Sequence, residues 1–211
     1  MVFLWVILYG LVFEAAGAVG KISWLLPAAM AAYTAAFLLW IRKSGNAQQI
    51  GLVKSTAISP AMLPLLVLPL GNVLANGFSL PGWEAALVLI CGSITEELFF
   101  RGFLFSYLLR RGPICAVLGS SLLFALMHFA NLGSGAEVLD TLMQVLCAFW
   151  VGVCYCLAIL RWKSLLPCMV AHSLTNLTAA ENSPVVLSLI CILAYVCYSL
   201  WLKNQMKENV P

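Results

Sequence analysis

Long apolar segments follow one another along the chain and constrain its fold more than any other feature. An α-helix needs about 20 apolar residues to cross the hydrocarbon core of a bilayer, and about 17 to 25 are tolerated. Segments of this kind lie at residues 2–20, 22–41, 57–75, 83–109, 113–130, 137–160, 165–180 and 184–202. We therefore predict an all-α polytopic membrane protein of about eight transmembrane helices. Residues 1–211 are expected to form one integral-membrane domain.

Two of these segments depart from a regular span. Residues 165–180 are short for a crossing helix. Residues 57–75 contain Pro60, Pro64 and Pro69, and a proline inside a helix removes a hydrogen bond and bends the chain. The segment 57–75 is therefore predicted to be kinked or partly re-entrant.

The composition agrees with a membrane location and excludes other classes of protein. Hydrophobic residues make up 63% of the chain and charged residues 9%, whereas a soluble domain is about half apolar and a quarter charged. The net charge of +3 is small and the basic residues form no single patch, so nucleic acid is not an expected partner. The expected surroundings are the lipid bilayer. Most of the 8 cysteines lie in apolar runs, where we expect reduced thiols that pack as small hydrophobic groups.

The basic residues predict the orientation of the chain in the membrane. If the segments alternate in direction, nine of the 11 Lys and Arg residues fall on one side, namely Arg42, Lys43, Lys54, Arg110, Arg111, Arg161, Lys163, Lys203 and Lys207. Lys21 falls on the other side, and Arg101 lies within the membrane. This bias predicts that both termini are cytoplasmic. No Lys or Arg precedes Lys21, so we expect a retained first helix rather than a signal peptide. The small size favours a prokaryotic plasma membrane.

Charged residues interrupt the apolar segment 83–109, in the sequence ITEELFFRGFLF. An ionisable side chain at the centre of a spanning helix costs about 2.5–3.5 kcal/mol, and such residues usually face the interior of the helix bundle. Arg101 lies four residues after Glu97 on the same helical face, a spacing that favours an ion pair. Glu96 projects about 100° away from Glu97. We therefore expect Arg101 to hold Glu97, and Glu96 to face a polar cavity.

Both histidines of the chain also lie in apolar segments. His128 ends the sequence FALMH in segment 113–130, and His172 begins HSLTN in segment 165–180, with Asn176 one turn later. Three segments thus bring polar side chains to membrane depth, and we predict that these side chains converge on one intramembrane cavity. Carboxylate and imidazole groups can transfer protons there, and amide and imidazole groups can stabilise an oxyanion.

A metal site is the other chemistry that this set of residues could serve, because two histidines and two glutamates can hold zinc. However, the chain has no HExxH helix and no clear set of three ligands. Its cysteines also lack the spacing of a metal site. We therefore predict no metal and no cofactor.

The three motifs resemble those of a known family. EELFFR with Glu96, Glu97 and Arg101, FALMH with Phe124 and His128, and HSLTN with His172 and Asn176 are similar to the patterns EExxxR, FxxxH and HxxxN. These patterns belong to the CPBP family, the CAAX-protease and bacteriocin-processing intramembrane proteases, also called the Abi family. The resemblance covers roughly residues 83–180, the expected catalytic core, and it agrees with an eight-helix topology.

The resemblance implies a glutamic-type intramembrane endopeptidase that works without metal. By this resemblance Glu96 activates the water that attacks the peptide bond, aided by His128. Glu97 and Arg101 support and orient the site, and His172 and Asn176 form the oxyanion hole. The implied substrate is a membrane-anchored or lipid-modified protein, or a small peptide such as a bacteriocin precursor. In a prokaryote a prenylated CAAX substrate is not expected.

Other interpretations of the same residues stay open at this point. A non-proteolytic scaffold or bacteriocin-immunity protein of the same fold could retain every motif residue and bind a membrane partner. A transporter could use the Glu and His residues as a proton relay, although the chain lacks the two related halves common in transporters. Glu97 and Arg101 could form a purely structural ion pair, and Glu96 could be protonated and bonded to Ser93.

Overall fold

The computed structural model describes Leu8 and residues 24–52, 59–179 and 185–208, and the described residues contain helices and no strand. The α-helices are α1 (Leu25–Lys43), α2 (Val67–Asn76), α3 (Trp83–Glu97), α4 (Phe105–Leu108), α5 (Pro113–Met127), α6 (Ala130–Gly133), α7 (Val138–Trp162), α8 (Leu166–Thr178) and α9 (Val185–Glu208). The predicted all-α fold is confirmed for this part of the chain.

The number of spans is confirmed only in part. Within the described residues, four helical stretches are long and apolar enough to cross a membrane: Leu25–Lys43, Pro113–Gly133, Val138–Trp162 and Val185–Met206. The predicted short segment 165–180 contains α8, which has 13 residues. The first predicted span, residues 2–20, lies outside the described residues apart from Leu8. Eight spans are therefore not established by the structure.

The proline-rich segment 57–75, predicted to be kinked or partly re-entrant, is described from Ser59 onward and is irregular there. A 3-10 helix, Pro60–Leu66, contains Pro64 and is capped by the Ser59 hydroxyl. Only from Val67 does the chain continue as an α-helix, α2, and the two parts together form a short apolar helix, Pro60–Asn76. The prolines prevent one regular helix here because they cannot donate backbone hydrogen bonds.

The predicted helix 83–109 follows one helical path, but its hydrogen bonding changes along its length. It is α-helical from Trp83 to Glu97 and π-helical from Leu98 to Leu104, and it ends with α4 and a 3-10 turn, Leu109–Arg111. π-helical turns are rare and occur often at functional sites. Here the change from α to π falls directly after the two glutamates, and Arg101 lies in the middle of the π-helical segment.

Helix α7 forms the centre of the bundle. In its candidate span 61% of the residues are buried, against 33% in each of the other three candidate spans. It packs against α5 on one side and α9 on the other, whereas α3 packs against α1 and α8, and α2 also contacts α8. Among the motif-bearing segments, α5 and the π-helical segment Leu98–Leu104 therefore contact α7, and α8 is joined to them through α3.

The C-terminal ends of α1, α4 and α7 lie at the same end of the bundle. The Leu165 N–H after α7 donates to the Gly51 carbonyl oxygen, at 2.9 Å, and the Ser106 hydroxyl of α4 donates to Gln49, at 3.3 Å. These ends carry the basic residues Arg42, Lys43, Arg110, Arg111, Arg161 and Lys163. We call this the basic end of the bundle, and it agrees with the sequence-based grouping of these residues.

Candidate active site

Glu97 lies at the centre of the site, where it is completely buried. One of its oxygens, Oε1, is 3.1 Å from Arg101 Nη1 and 2.9 Å from His172 Nδ1. The predicted pairing of Glu97 with Arg101 is therefore confirmed. Because a carboxylate only accepts hydrogen bonds, the short contact with His172 assigns a proton to Nδ1 of that ring. One carboxylate thus joins the π-helical segment to α8.

Arg101 is buried to 1% exposure, and ring contacts dominate its surroundings. The guanidinium carbon lies 3.8 Å from the Phe124 ring centre and 5.8 Å from that of Tyr155, so the cation is stabilised by aromatic faces as well as by Glu97. Its contact with Glu97 has the length of an ion pair but not the alignment of a hydrogen bond. Gly152 of α7 leaves the space for this arrangement, because a Cβ there would lie 3.0 Å from Arg101 Nη2.

His172 lies between the two glutamates of the motif. Its Nδ1 faces Glu97, and its Nε2 is 3.8 Å from Glu96 Oε2. The side chains differ strongly in access: Glu97 is 0% exposed, His172 11% and Glu96 27%. Glu96 is therefore the carboxylate of this group that solvent or a ligand can reach.

Asn176 is held one turn further along α8. Its Nδ2 donates to the Ser93 hydroxyl of α3, at 2.9 Å, and that hydroxyl donates in turn to the Leu89 carbonyl, at 2.7 Å. Ser93, which the sequence offered as a partner of Glu96, is thus a partner of Asn176. The bond fixes the amide of Asn176 against the helix that carries both glutamates.

His128 is held by a backbone contact and a ring contact. It follows the last residue of α5, and its Nδ1 lies 3.1 Å from the Phe124 carbonyl oxygen. The ring of Phe124 is 5.0 Å from that of His128 and 5.7 Å from that of His172, edge to face in both pairs. The Phe124 ring therefore packs between the two histidines. His128 is linked to Glu97 only indirectly, through Phe124 and His172.

A cavity of about 710 Å³ connects these residues to the surface. Glu97, His128, His172 and Asn176 line it, and so do Asn72 and Tyr155. Its lining residues at the protein surface are 134–137 with Asp140, Ala179 and Val185, and we infer that they form its mouth. These residues lie at the ends of α6, α7, α8 and α9 that are opposite the basic end, so the cavity opens away from the basic residues.

Glu96 occupies a different position from the one expected. It lines a recess of about 30 Å³ formed with Tyr33, Phe37, Phe99 and Met127, among others, whereas Glu97 lines the large cavity. The two compartments meet at His172, which contacts both carboxylates. The prediction that Glu97 pairs with Arg101 is thus confirmed. The prediction that Glu96 faces the large cavity is wrong, because Glu97 lines that cavity instead.

Asn72 and Tyr155 also line the cavity, although neither is predicted from the sequence. Asn72 contacts α8 through long hydrogen bonds, 3.4 Å to the Thr175 carbonyl and 3.4 Å to the Thr178 hydroxyl. Tyr155 lies in the apolar run of α7, where nothing in the sequence separates it from a lipid-facing or core aromatic residue. The described residues include no group of three or more His, Cys, Asp or Glu that could hold a metal ion, and the 8 cysteines are free thiols.

The fold and the site together define an all-α membrane protein with ionisable groups buried among its helices. Residues 78–178 match a family model described as Rce1-like, type II CAAX prenyl endopeptidase Rce1-like. This segment is an Rce1-like domain and matches the CPBP/CAAX protease family. The match contains all three motifs and the lining helices α3, α5, α7 and α8, whereas the lining helices α2 and α9 lie outside it. It agrees with an integral membrane protein and a CAAX-type protease. The chain matches no curated protein and no solved structure.

Proposed function

We propose that the protein is a glutamic-type intramembrane endopeptidase that hydrolyses a peptide bond of a membrane-associated or lipid-modified protein, or of a peptide precursor. The observation that carries this proposal is the chain of contacts from Glu96 through His172 and Glu97 to Arg101. These contacts place the accessible carboxylate of Glu96 next to the fixed imidazole of His172, beside a cavity that reaches the surface.

In the proposed reaction Glu96 is the general base. Glu96 takes a proton from a water molecule while the water oxygen bonds to the carbonyl carbon of the substrate, and the carbonyl electrons move onto its oxygen. When the oxyanion collapses, the C–N bond breaks and the proton on Glu96 passes to the leaving nitrogen, which yields a carboxylic acid and an amine. The greater exposure of Glu96, 27% against 0% for Glu97, supports this assignment.

The imidazole and amide groups are proposed to stabilise the oxyanion. Since Nδ1 of His172 donates to Glu97, the ring faces the reacting carboxylate with Nε2, and Nε2 is a donor to the oxyanion when it also carries a proton. Asn176 retains one amide hydrogen besides the one it donates to Ser93. A preorganised donor of this kind contributes about 100- to 1,000-fold to an acyl-transfer rate. His128 lines the same cavity and assists Glu96 or the leaving group.

The shape of the cavity supports a substrate that lies partly in the membrane. A volume of about 710 Å³ is large enough for several side chains of an extended peptide, and sites for small ligands span about 300–1,000 Å³. If the basic end is cytoplasmic, as the positive-inside rule indicates, the mouth at residues 134–137 opens on the opposite side of the membrane. This orientation, with cytoplasmic termini in a prokaryotic plasma membrane, is part of the proposal.

The proposal is tested by mapping protein termini in the membrane fraction of cells that express wild-type protein or Glu96→Gln. We expect a set of new termini with wild type that Glu96→Gln abolishes. Glu84→Gln is the matched control, because it makes the same chemical change in the first turn of the same helix, away from the cavity. All three proteins must reach equal levels and equal thermal stability.

The same experiment separates the protease from the scaffold. Termini that are identical in wild type and Glu96→Gln, together with a cellular phenotype that survives the substitution, would contradict proteolysis. That result would favour a non-proteolytic protein of the same fold that binds a membrane partner.

A further inference from the structure

Tyr155 has a buried hydroxyl group that the fold itself does not satisfy. The residue is 1% exposed at the centre of α7, and its hydroxyl has no hydrogen-bond partner among the described residues. Other buried tyrosines differ: the Tyr195 hydroxyl donates to the Leu65 carbonyl, and the Tyr198 hydroxyl donates to that of Ala61. A buried polar group without a partner is costly and calls for a specific explanation.

The groups around Tyr155 are unsatisfied as well. Glu97 Oε2 and the three guanidinium nitrogens of Arg101 have no aligned hydrogen bond to any described residue. The Arg101 guanidinium lies 5.8 Å from the centre of the Tyr155 ring, and its Nη1 is 3.1 Å from Glu97 Oε1, so Tyr155 and Glu97 flank the same cation. The Tyr155 hydroxyl is therefore a donor without an acceptor, and Glu97 Oε2 nearby is an acceptor without a donor. Tyr155 and Glu97 both line the cavity.

We propose that Tyr155 is a positioning residue of the site, and that its hydroxyl and Glu97 Oε2 hold one water molecule between them. The water accepts a hydrogen bond from the Tyr155 O–H and donates one to Oε2, and an Arg101 N–H supplies a third partner. A buried water typically makes two to four such bonds. Water reaches this place through the cavity, which both residues line and which opens at residues 134–137.

The consequence for the site is the orientation of Glu97. Its Oε1 is fixed by Arg101 and His172, and the bridging water fixes Oε2, so the carboxylate cannot rotate away from the imidazole. Tyr155 thus acts through Glu97 on His172, and it does not contact the substrate. The effect on catalysis rests on the proposed protease function, whereas the effect on the geometry of His172 does not.

Tyr155→Phe tests the proposal, since it removes the hydroxyl and keeps the ring beside Arg101. With a peptide substrate identified by terminus mapping, we expect kcat to fall about 10- to 100-fold, the range found when groups that orient metal-bound histidines are removed. KM should change less than kcat. Tyr198→Phe is the control, because it removes a buried tyrosine hydroxyl outside the cavity lining, and its kcat should equal that of wild type. An unchanged kcat in Tyr155→Phe would overturn the proposal.

A second measurement does not depend on proteolysis. The chain has 2 histidines, so protein labelled with ¹⁵N-histidine shows signals from His128 and His172 alone, and His128→Gln assigns them. We expect Tyr155→Phe to move the His172 signals and to leave those of His128 in place, while Tyr198→Phe moves neither. Unchanged His172 signals would contradict the role of Tyr155 even if the protein is a protease. Moved signals in a protein that cleaves nothing would support that role and contradict the proposed function.

Discussion

The two histidines line the same cavity but are held in different ways. His172, at the inner end, lies within 2.9 Å of one buried carboxylate and 3.8 Å of a second. His128, nearer the mouth, has a backbone carbonyl at 3.1 Å and lies just beyond the end of its helix. The inner imidazole is therefore part of an ionic network whose removal leaves charges buried, whereas the outer one can be removed at less cost. The comparison thus distinguishes a residue that stabilises the site, His172, from one that is expected to act in it without stabilising it, His128.

The largest expected effect is on activity. His172→Gln and His128→Gln should both reduce kcat, within the range of about 100- to 10,000-fold that a positioned proton-transfer group contributes, and His172→Gln should lie at the upper end. Only His172→Gln should also lower the melting temperature, because Glu97 then loses a hydrogen-bond donor. Both quantities are measured on purified protein in nanodiscs. An equal loss of stability in the two variants would contradict the conclusion that only His172 stabilises the site.

The next effect is on stability at the inner end. Arg101→Leu leaves Glu97 as a buried charge without its cation, and we expect a loss of about 3–5 kcal/mol in the free energy of unfolding, as for other broken buried pairs. The double variant Glu97→Gln with Arg101→Leu should recover part of this loss, since it removes both charges. Unfolding in mixed micelles measures the cycle. Strictly additive losses would show that the two side chains do not interact.

Two glycines test how tightly each end of the cavity is packed. Gly152→Ala places a methyl group 3.0 Å from Arg101 Nη2 and from the Ser121 side chain, and we expect a loss of about 1–3 kcal/mol from overpacking. Gly133→Ala, near the mouth, meets nothing within 4 Å and should leave stability unchanged or raise it by up to about 1 kcal/mol. The free energy of unfolding of both variants is measured under the same conditions. An equal change in the two variants would contradict the predicted difference in packing.

The smallest effect concerns two side-chain amide hydrogen bonds. Ser93→Ala removes the acceptor of Asn176 at the inner end, and we expect a loss of about 0.6 kcal/mol, the average for hydrogen bonds between membrane helices, with a severalfold fall in kcat. Asn131→Ala removes the exposed 2.7 Å bond to Gln144 near the mouth and should change neither quantity measurably. A larger effect from Asn131→Ala would reverse the assignment of inner and outer ends.

Much of the site could be predicted from the sequence because its residues are charged or polar side chains within apolar segments. Glu97 and Arg101 stand out as charges in an apolar segment, and their i,i+4 spacing predicts the ion pair that the structure shows at 3.1 Å. Tyr155 and Asn72 could not be predicted in the same way. An uncharged polar side chain in an apolar helix has the same local sequence whether it faces lipid, core or cavity, and only the neighbouring helices decide which.

Residue type and local spacing were enough to predict the all-α fold, the three motifs and the grouping of basic residues at one end of the bundle. The tertiary structure decided what depends on several helices at once. It showed that the mouth of the cavity lies opposite the basic end and that Glu97, rather than Glu96, lines the cavity. It also showed the change to π-helix after Glu97. These features arise from packing between distant segments, which the spacing of residues along one helix does not encode.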